Sequence, residues 1–199
     1  MEFFLDVDGV ILDFESTFMD FIRETYLPEL PQGYLPTSWE MKDEALSKLD
    51  ITEAWEGFMV SGRFEHLNLL ADVVSFNQIS SQSPVYLVTN LPEKHYSGRI
   101  ANLAAHGLCF TSLHMGGHHD FGIEGYPTKP QVIERLRCQS KRLIFLDDHP
   151  ENCRAVRSSF PTAEVYLMER SHNKGIQDEG WIRLQSWGEF AEKFVTNLS

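Results

Sequence analysis

The chain opens with Met1-Glu2-Phe3-Phe4-Leu5-Asp6-Val7-Asp8-Gly9-Val10-Ile11-Leu12-Asp13-Phe14-Glu15, and this stretch decides the fold. Residues 2–6 read as a buried strand around the apolar run Phe3-Phe4-Leu5. The run ends in two carboxylates, Asp6 and Asp8, and then in Gly9, which lets a chain turn sharply. Positions two apart on an extended backbone project to the same side, so Asp6 and Asp8 can serve one target.

Three later segments repeat the pattern of an apolar run that ends in polar groups. PVYLVTN at 84–90 ends in Thr89 and Asn90, and RLIFLDD at 142–148 ends in Asp147 and Asp148. AEVYLM at 163–168 reads as a further strand, as does LCFTSL at 108–113. Helical patterns fall between them, at 92–106, 129–138 and 150–159, and Ser186 is placed to cap a last helix through Phe194. Alternation of strand and helix predicts an α/β fold, a parallel Rossmann-like sheet covered on both faces. Ligands of such open sheets bind beyond the carboxyl ends of the strands. Those ends gather Asp6, Asp8, Thr89, Asn90, Asp147 and Asp148, and Lys129 opens the helix before the last pair.

Between the first two strands the period is helical, broken by a Pro/Gly stretch from Pro28 to Pro36. Helices are expected over 14–26, from Ser38 through Leu49, from Thr52 to about Val60, and from Phe64 to about Ile79. This gives a core of residues 1–13 and 81–199 with a helical cap, 14–80, inserted after the first strand.

The chain has 199 residues, 42% of them hydrophobic, enough for one core with an inserted subdomain. No run of 18 apolar residues is present, which argues against a membrane span. The acidic start argues against a secretory leader. Three scattered cysteines, Cys109, Cys138 and Cys153, fit a reduced, cytoplasmic protein. The net charge of −12 makes nucleic-acid polymers poor partners, because binding them needs a basic stripe. Residues 14–80 alone hold 12 acidic against 4 basic residues.

Four carboxylates in one crevice repel one another unless a cation is present. Mg²⁺ suits them, since it takes oxygen ligands and keeps positions for water and phosphate. Lys129 and the Thr89 hydroxyl can then hold phosphate oxygens, which makes this a phosphoryl-transfer constellation. One of the two opening carboxylates can attack phosphorus, and the other can shuttle the proton.

DVDGV at 6–10, Thr89, Lys129 and LDD at 146–148, in this order, resemble the haloacid dehalogenase superfamily of phosphatases. The resemblance covers residues 2–13 and roughly 84–170. It implies Asp6 as nucleophile, Asp8 as acid/base and donor of a backbone carbonyl to Mg²⁺, and Asp147 and Asp148 as metal ligands. It implies phosphate binding by Thr89 and Lys129, with Asn90 beside them, and a small cap that closes over a phosphorylated metabolite. DVDGVILDFE and RLQSWGEF (183–190) are also similar to the 5′(3′)-deoxyribonucleotidase branch, which implies base contact by Phe14. Two positions differ from that branch: His149 stands where arginine is usual, and 18 positions separate Lys129 from Asp147.

Trp39 and His149 are further substrate candidates. Phe18, Tyr34, Trp55 and Phe58 suit a ring contact or the core of the cap, and Arg63 suits a substrate group or a solvated face. His114, His118 and His119 lie in a Gly/His-rich loop, 114–127, that suits either a metal or solvent. A calcium loop at DVDG is excluded by Val10 and Ile11, which stand where that motif needs a ligand and a glycine. The alternatives to a phosphatase are a non-catalytic phospholigand-binding module, a phosphomutase, or a phosphonate hydrolase using Lys42 or Lys48.

Overall fold

A computed structural model describes residues 1–116 and 127–195. Six strands form one sheet: β1 (Glu2–Leu5), β2 (Val85–Thr89), β3 (Ser112–Met115), β4 (Leu143–Asp147), β5 (Glu164–Met168) and β6 (Ile182–Leu184). Their order is β3-β2-β1-β4-β5-β6, and every neighbouring pair is parallel. The expected Rossmann-like α/β fold is therefore present, with β1 and its carboxylates between β2 and β4.

Strand alternation sorts the core. Phe3, Leu5, Val85, Leu87, Ile144, Leu146, Tyr166 and Met168 face one layer, and Phe4, Val88, Leu143, Phe145, Val165 and Leu167 face the other. The first layer is closed by α4 (Tyr96–Ala105) through Leu103, and by α7 (Trp187–Phe194) through Trp187, Phe190 and Phe194. Phe3 meets Phe190 and Phe194 edge to face, at 6.1 and 5.0 Å. The second layer is closed by α5 (Lys129–Leu136) and α6 (Pro150–Ser159), through Val132, Ile133, Cys153 and Val156. Burying each large apolar side chain contributes about 1.5–3 kcal/mol, and burial on both faces explains why these strands read as continuous apolar runs.

Between β1 and β2 the chain forms α1 (Phe14–Thr25), α2 (Ile51–Val60) and α3 (Val73–Gln82), with single 3₁₀ turns at Glu44–Leu46 and Arg63–His66. Asp13, Asp50 and Asp72 cap the three helices, each accepting from backbone N–H groups of the first turn. A ring cluster of Phe14, Phe18, Phe21, Trp55 and Phe58 ties α1 to α2. The third helix lies against α7, where Phe76 stacks on Trp187 at 5.6 Å and the Trp187 indole N–H donates to Ser75 Oγ.

Four expectations need correction. The helix expected from Ser38 to Leu49 is one 3₁₀ turn, because Met41 takes φ 52° and Asp43 accepts from the Thr37 backbone N–H. The helix expected over 64–79 is broken. Residues 68–71 instead run beside 11–13, with Asp13 N–H donating to Asn68 O and Leu70 N–H to Ile11 O, and Asp72 starts a new helix. The third strand begins at Ser112 rather than Leu108, because the Cys109 N–H is held by Asn77 Oδ1 on α3. It takes in His114, expected in a loop. The edge strand β6 was not expected at all, and it has three residues.

Candidate active site

The candidate side chains lie at the carboxyl ends of the parallel strands, with Lys129 at the start of α5. Asp6 follows β1 directly, and its N–H donates to Leu146 O of the neighbouring strand. Asp8 sits in the turn that follows, and Gly9 closes that turn at φ 76°. A Cβ on Gly9 would lie 1.9 Å from Asp148 Oδ2, so two physical demands, dihedral and space, both require glycine there. Lys129 is the first residue of α5, held by a capping box in which Thr128 Oγ1 accepts from Gln131 N–H and Gln131 Oε1 accepts from Thr128 N–H.

The buried Lys129 ammonium lies 2.8 Å from Asp6 Oδ1 and 2.6 Å from Asp147 Oδ2. Burial works against its charge, but Asp147 and Asp6 more than offset this and hold its pKa above the usual lysine range. Burial pushes the Asp6 carboxyl well above the ordinary range, with Asp147 and Asp148 adding to the rise and Lys129 opposing it. Asp148 is pushed up to about 7, first by burial and then by Asp147, against the pull of His172.

The two aspartates at the end of β4 have different surroundings. Both oxygens of Asp147 are engaged: Oδ2 by Lys129, and Oδ1 by the His149 N–H at 2.8 Å and Asn152 Nδ2 at 3.2 Å. Asp148 Oδ1 is buried without a hydrogen-bond partner among the described residues. Oxygens of Asp6, Asp147 and Asp148 lie within 4.8 Å of one another. An all-oxygen set with an orphaned carboxylate oxygen and raised carboxyl pKa values fits a hard divalent cation such as Mg²⁺. On this geometry Asp148 is the member free to bind it, and Asp147 organises Lys129 and the entry to α6. The Thr89 hydroxyl is likewise buried without a hydrogen bond among the described residues, at the end of β2 beside Asn90.

Several contributors were not foreseen. The carboxylate of Asp8 is bound by Arg99 of α4, whose Nη2 lies 2.6 and 2.9 Å from its two oxygens. The segment after β5 supplies Arg170, His172 and Asn173. Arg170 donates through Nε to Gly9 O, and Asn173 Nδ2 donates to Asp148 O at 2.7 Å. His172 Nε2 faces Asp148 O, and its Nδ1 faces Glu15 Oε1, which also accepts from Ser171 Oγ. Burial opposes charge on His172, but the bond to Glu15 and the Asp148 charge raise its pKa. No sequence signal marked these residues beyond their place after a strand end.

Trp39 meets His149 and His172 edge to face, at 4.7 and 5.2 Å, so the long segment after α1 reaches the aspartate pair. Phe14 is elsewhere. Its ring packs on Phe18, Trp55 and Phe58 and is 9% exposed, so other rings occupy its surroundings. Tyr34 also packs against this core. Arg63 pairs with Glu24 on α1, and Lys42 and Lys48 are exposed. His114 contacts the Ser112 hydroxyl on β3, whereas His118 and His119 lie outside the described residues. The exposed Cys109 and Cys138 and the buried Cys153 are free thiols. No described helix is long and apolar enough to cross a membrane.

No protein-family model and no curated protein matches the chain. Solved structures do. A Thermotoga maritima protein described as a candidate beta-phosphoglucomutase superimposes with a TM-score of 0.62 at 17% identity, covering 97% of this chain and 98% of that one. The L-2-haloacid dehalogenase of Xanthobacter autotrophicus, with chloropropionic acid covalently bound, gives 0.60 at 13%, covering 100% and 99%. A candidate HAD-hydrolase of Bacillus subtilis, YfnB, bound to magnesium, gives 0.60 at 16%, covering 98% of each chain. The fold of this chain is that of the haloacid dehalogenase superfamily.

Proposed function

We propose that this chain, built on the haloacid dehalogenase fold, is a Mg²⁺-dependent phosphatase that hydrolyses a small phosphomonoester through an aspartyl phosphate. The observation that carries the reading is the cluster of Asp6, Asp147 and Asp148 around the buried Lys129, with one Asp148 oxygen left without a partner. Asp6 Oδ2 attacks phosphorus, while Oδ1 stays against Lys129. Lys129 and the Thr89 hydroxyl offset charge gathering on the phosphoryl oxygens. The Asp8 carboxyl gives a proton to the departing alcohol oxygen, then takes one from the water that cleaves the aspartyl phosphate. Asp6 and Asp148 carboxylates with the Asp8 carbonyl would hold Mg²⁺, which when bound supplies charge neutralisation on the phosphoryl group.

Trp39 and His149 stand over the aspartate pair and would meet the leaving group. A 5′-nucleotidase remains within this reading, on the likeness of DVDGVILDFE and RLQSWGEF to that branch; the Phe14 ring packs on Phe18, Trp55 and Phe58, so Trp39 and His149 are the further candidates for contact with the leaving group. A soluble, reduced, cytoplasmic setting and a phosphorylated metabolite as partner belong to the same proposal.

The test is phosphate release from deoxynucleotides, sugar phosphates and an aryl phosphate, with Mg²⁺ and with EDTA. Release that needs the metal and disappears in Asp6→Asn is the expected result. That variant is expected to fold, because it removes a buried charge. Release retained by folded Asp6→Asn overturns the mechanism. Halide release from 2-haloacids with no phosphate release would move the chain to dehalogenase chemistry.

A further inference from the structure

The buried ion pair between Asp8 and Arg99 joins residues 91 positions apart, and the phosphatase reading above does not by itself require it. Arg99 is fully buried on α4. Its Nη2 spans both Asp8 oxygens, at 2.6 and 2.9 Å. Its guanidinium lies over the Phe64 ring, with Cζ 4.1 Å from the centroid. Nη1 is 3.5 Å from Asn102 Oδ1, and Asn102 in turn donates to Leu67 O. The group is thus clamped between a core helix and the segment by which the cap returns to the sheet.

Stability alone is a poor account of it. Burying a guanidinium costs several kcal/mol, in rough terms, and an apolar residue of similar volume often serves as well. Here the compensation is incomplete, because Arg99 Nε is buried without a partner among the described residues. What the arrangement does achieve is orientation. One nitrogen bonded to both oxygens is lost from one of them if the carboxyl rotates. A planar group stacked on a ring moves less than a flexible ammonium would. The Asp8 side chain keeps 17% exposure, so its far side remains available.

We propose that Arg99 is the positioning residue for Asp8, fixing its carboxyl in the orientation from which it exchanges a proton with the departing alcohol. The inference rests on the phosphatase reading. Arg99 is not offered as a phosphate ligand, since its Nη2 is committed to Asp8.

The dependence of kcat/KM on the leaving group tests it. This parameter reports steps through phosphoryl transfer to Asp6, in which the leaving oxygen departs. An acidic phenol departs without help, whereas an alkyl alcohol needs the proton from Asp8. With Mg²⁺ present, Arg99→Met is expected to lower kcat/KM by about 10- to 100-fold for alkyl monoesters and by less than about threefold for esters of acidic phenols. Arg99→Lys should recover part of the alkyl loss. Phe64→Leu, which keeps the ion pair but loosens the guanidinium, should steepen the dependence slightly in the same direction. In an Asp8→Asn background, Arg99→Met should have no further effect on leaving-group dependence.

An equal loss across all leaving groups, or an effect undiminished in Asp8→Asn, overturns the inference while the phosphatase reading stands. Wild-type protein without phosphatase activity overturns both. Should Arg99→Met fail to fold, Arg99→Lys and Phe64→Leu give the same comparison. The double variant, which removes both charges, supplies the limiting case.

Discussion

At Gly9 a backbone and a carboxylate compete for the same space. The residue combines φ 76° with an approach so close that any side chain would meet Asp148 Oδ2. Asp148 cannot easily retreat, because its carbonyl is held by Asn173 and its surroundings are buried. Gly9→Ala should therefore cost about 1–2 kcal/mol from the left-handed backbone alone. On the proposed reading it should also lower Mg²⁺ affinity about 10- to 100-fold by displacing the Asp148 carboxylate. Calorimetric titration of Mg²⁺ beside a thermal melt separates the two effects. Normal Mg²⁺ affinity in a destabilised variant would detach Asp148 from the metal. The sequence announced Asp6, Asp8, Lys129 and Asp147-Asp148, because each stands at the end of an apolar run or the start of a helix. It could not announce Arg99, His172 or Asn173. Their contacts depend on which loops the finished fold lays side by side, and a local pattern does not encode that.

The same limit operates on elements. Central strands β1, β2, β4 and β5 were legible because both of their faces are buried, which leaves unbroken apolar runs. Edge strands carry weaker signals. Ile182-Arg183-Leu184 is short, mixed and half exposed, and β3 is displaced by a hydrogen bond to a helix 32 residues earlier in the sequence, the Cys109 N–H donating to Asn77 Oδ1. The cap was legible as helical but not in its breaks, since the stop at 67–71 comes from pairing with residues 11–13.

Caps offer a test at this scale. Thr128→Ala and Ser186→Ala each remove one side-chain cap, at about 1 kcal/mol apiece. Only the first lies next to Lys129. Thr128→Ala should lower kcat/KM as well as stability, whereas Ser186→Ala should lower stability with activity unchanged. Equal activities in the two variants would mean that the first turn of α5 does not set the position of the ammonium.

For the whole molecule, the buried acids couple stability to pH. The folded Asp148 pKa is about 7, against about 3.9 for a free aspartate. Between these values the folded protein holds a proton that the unfolded chain has released. This contribution is greatest below about 3.9 and is lost as pH rises through about 7. Asp6 shifts in the same direction, and His172, also raised, loses its contribution as pH rises through its folded value. Metal-free protein should therefore melt at lower temperature at pH 8 than at pH 5.5. On the proposed reading, Mg²⁺ would bind the ionised carboxylates and should raise Tm most at pH 8. A melting temperature independent of pH over this window, with and without Mg²⁺, would contradict the cluster as described.

The place of β1 in the sheet has a consequence for biosynthesis. This strand leaves the ribosome before either of its partners, and one of them, β4, begins only at Leu143. At about 5–20 residues per second, roughly 7–28 s pass before that partner exists. Through that interval Phe3, Phe4 and Leu5 have one edge with no strand to pair, although all three end fully enclosed. Until β4 arrives, that open edge is free to pair with the wrong strand.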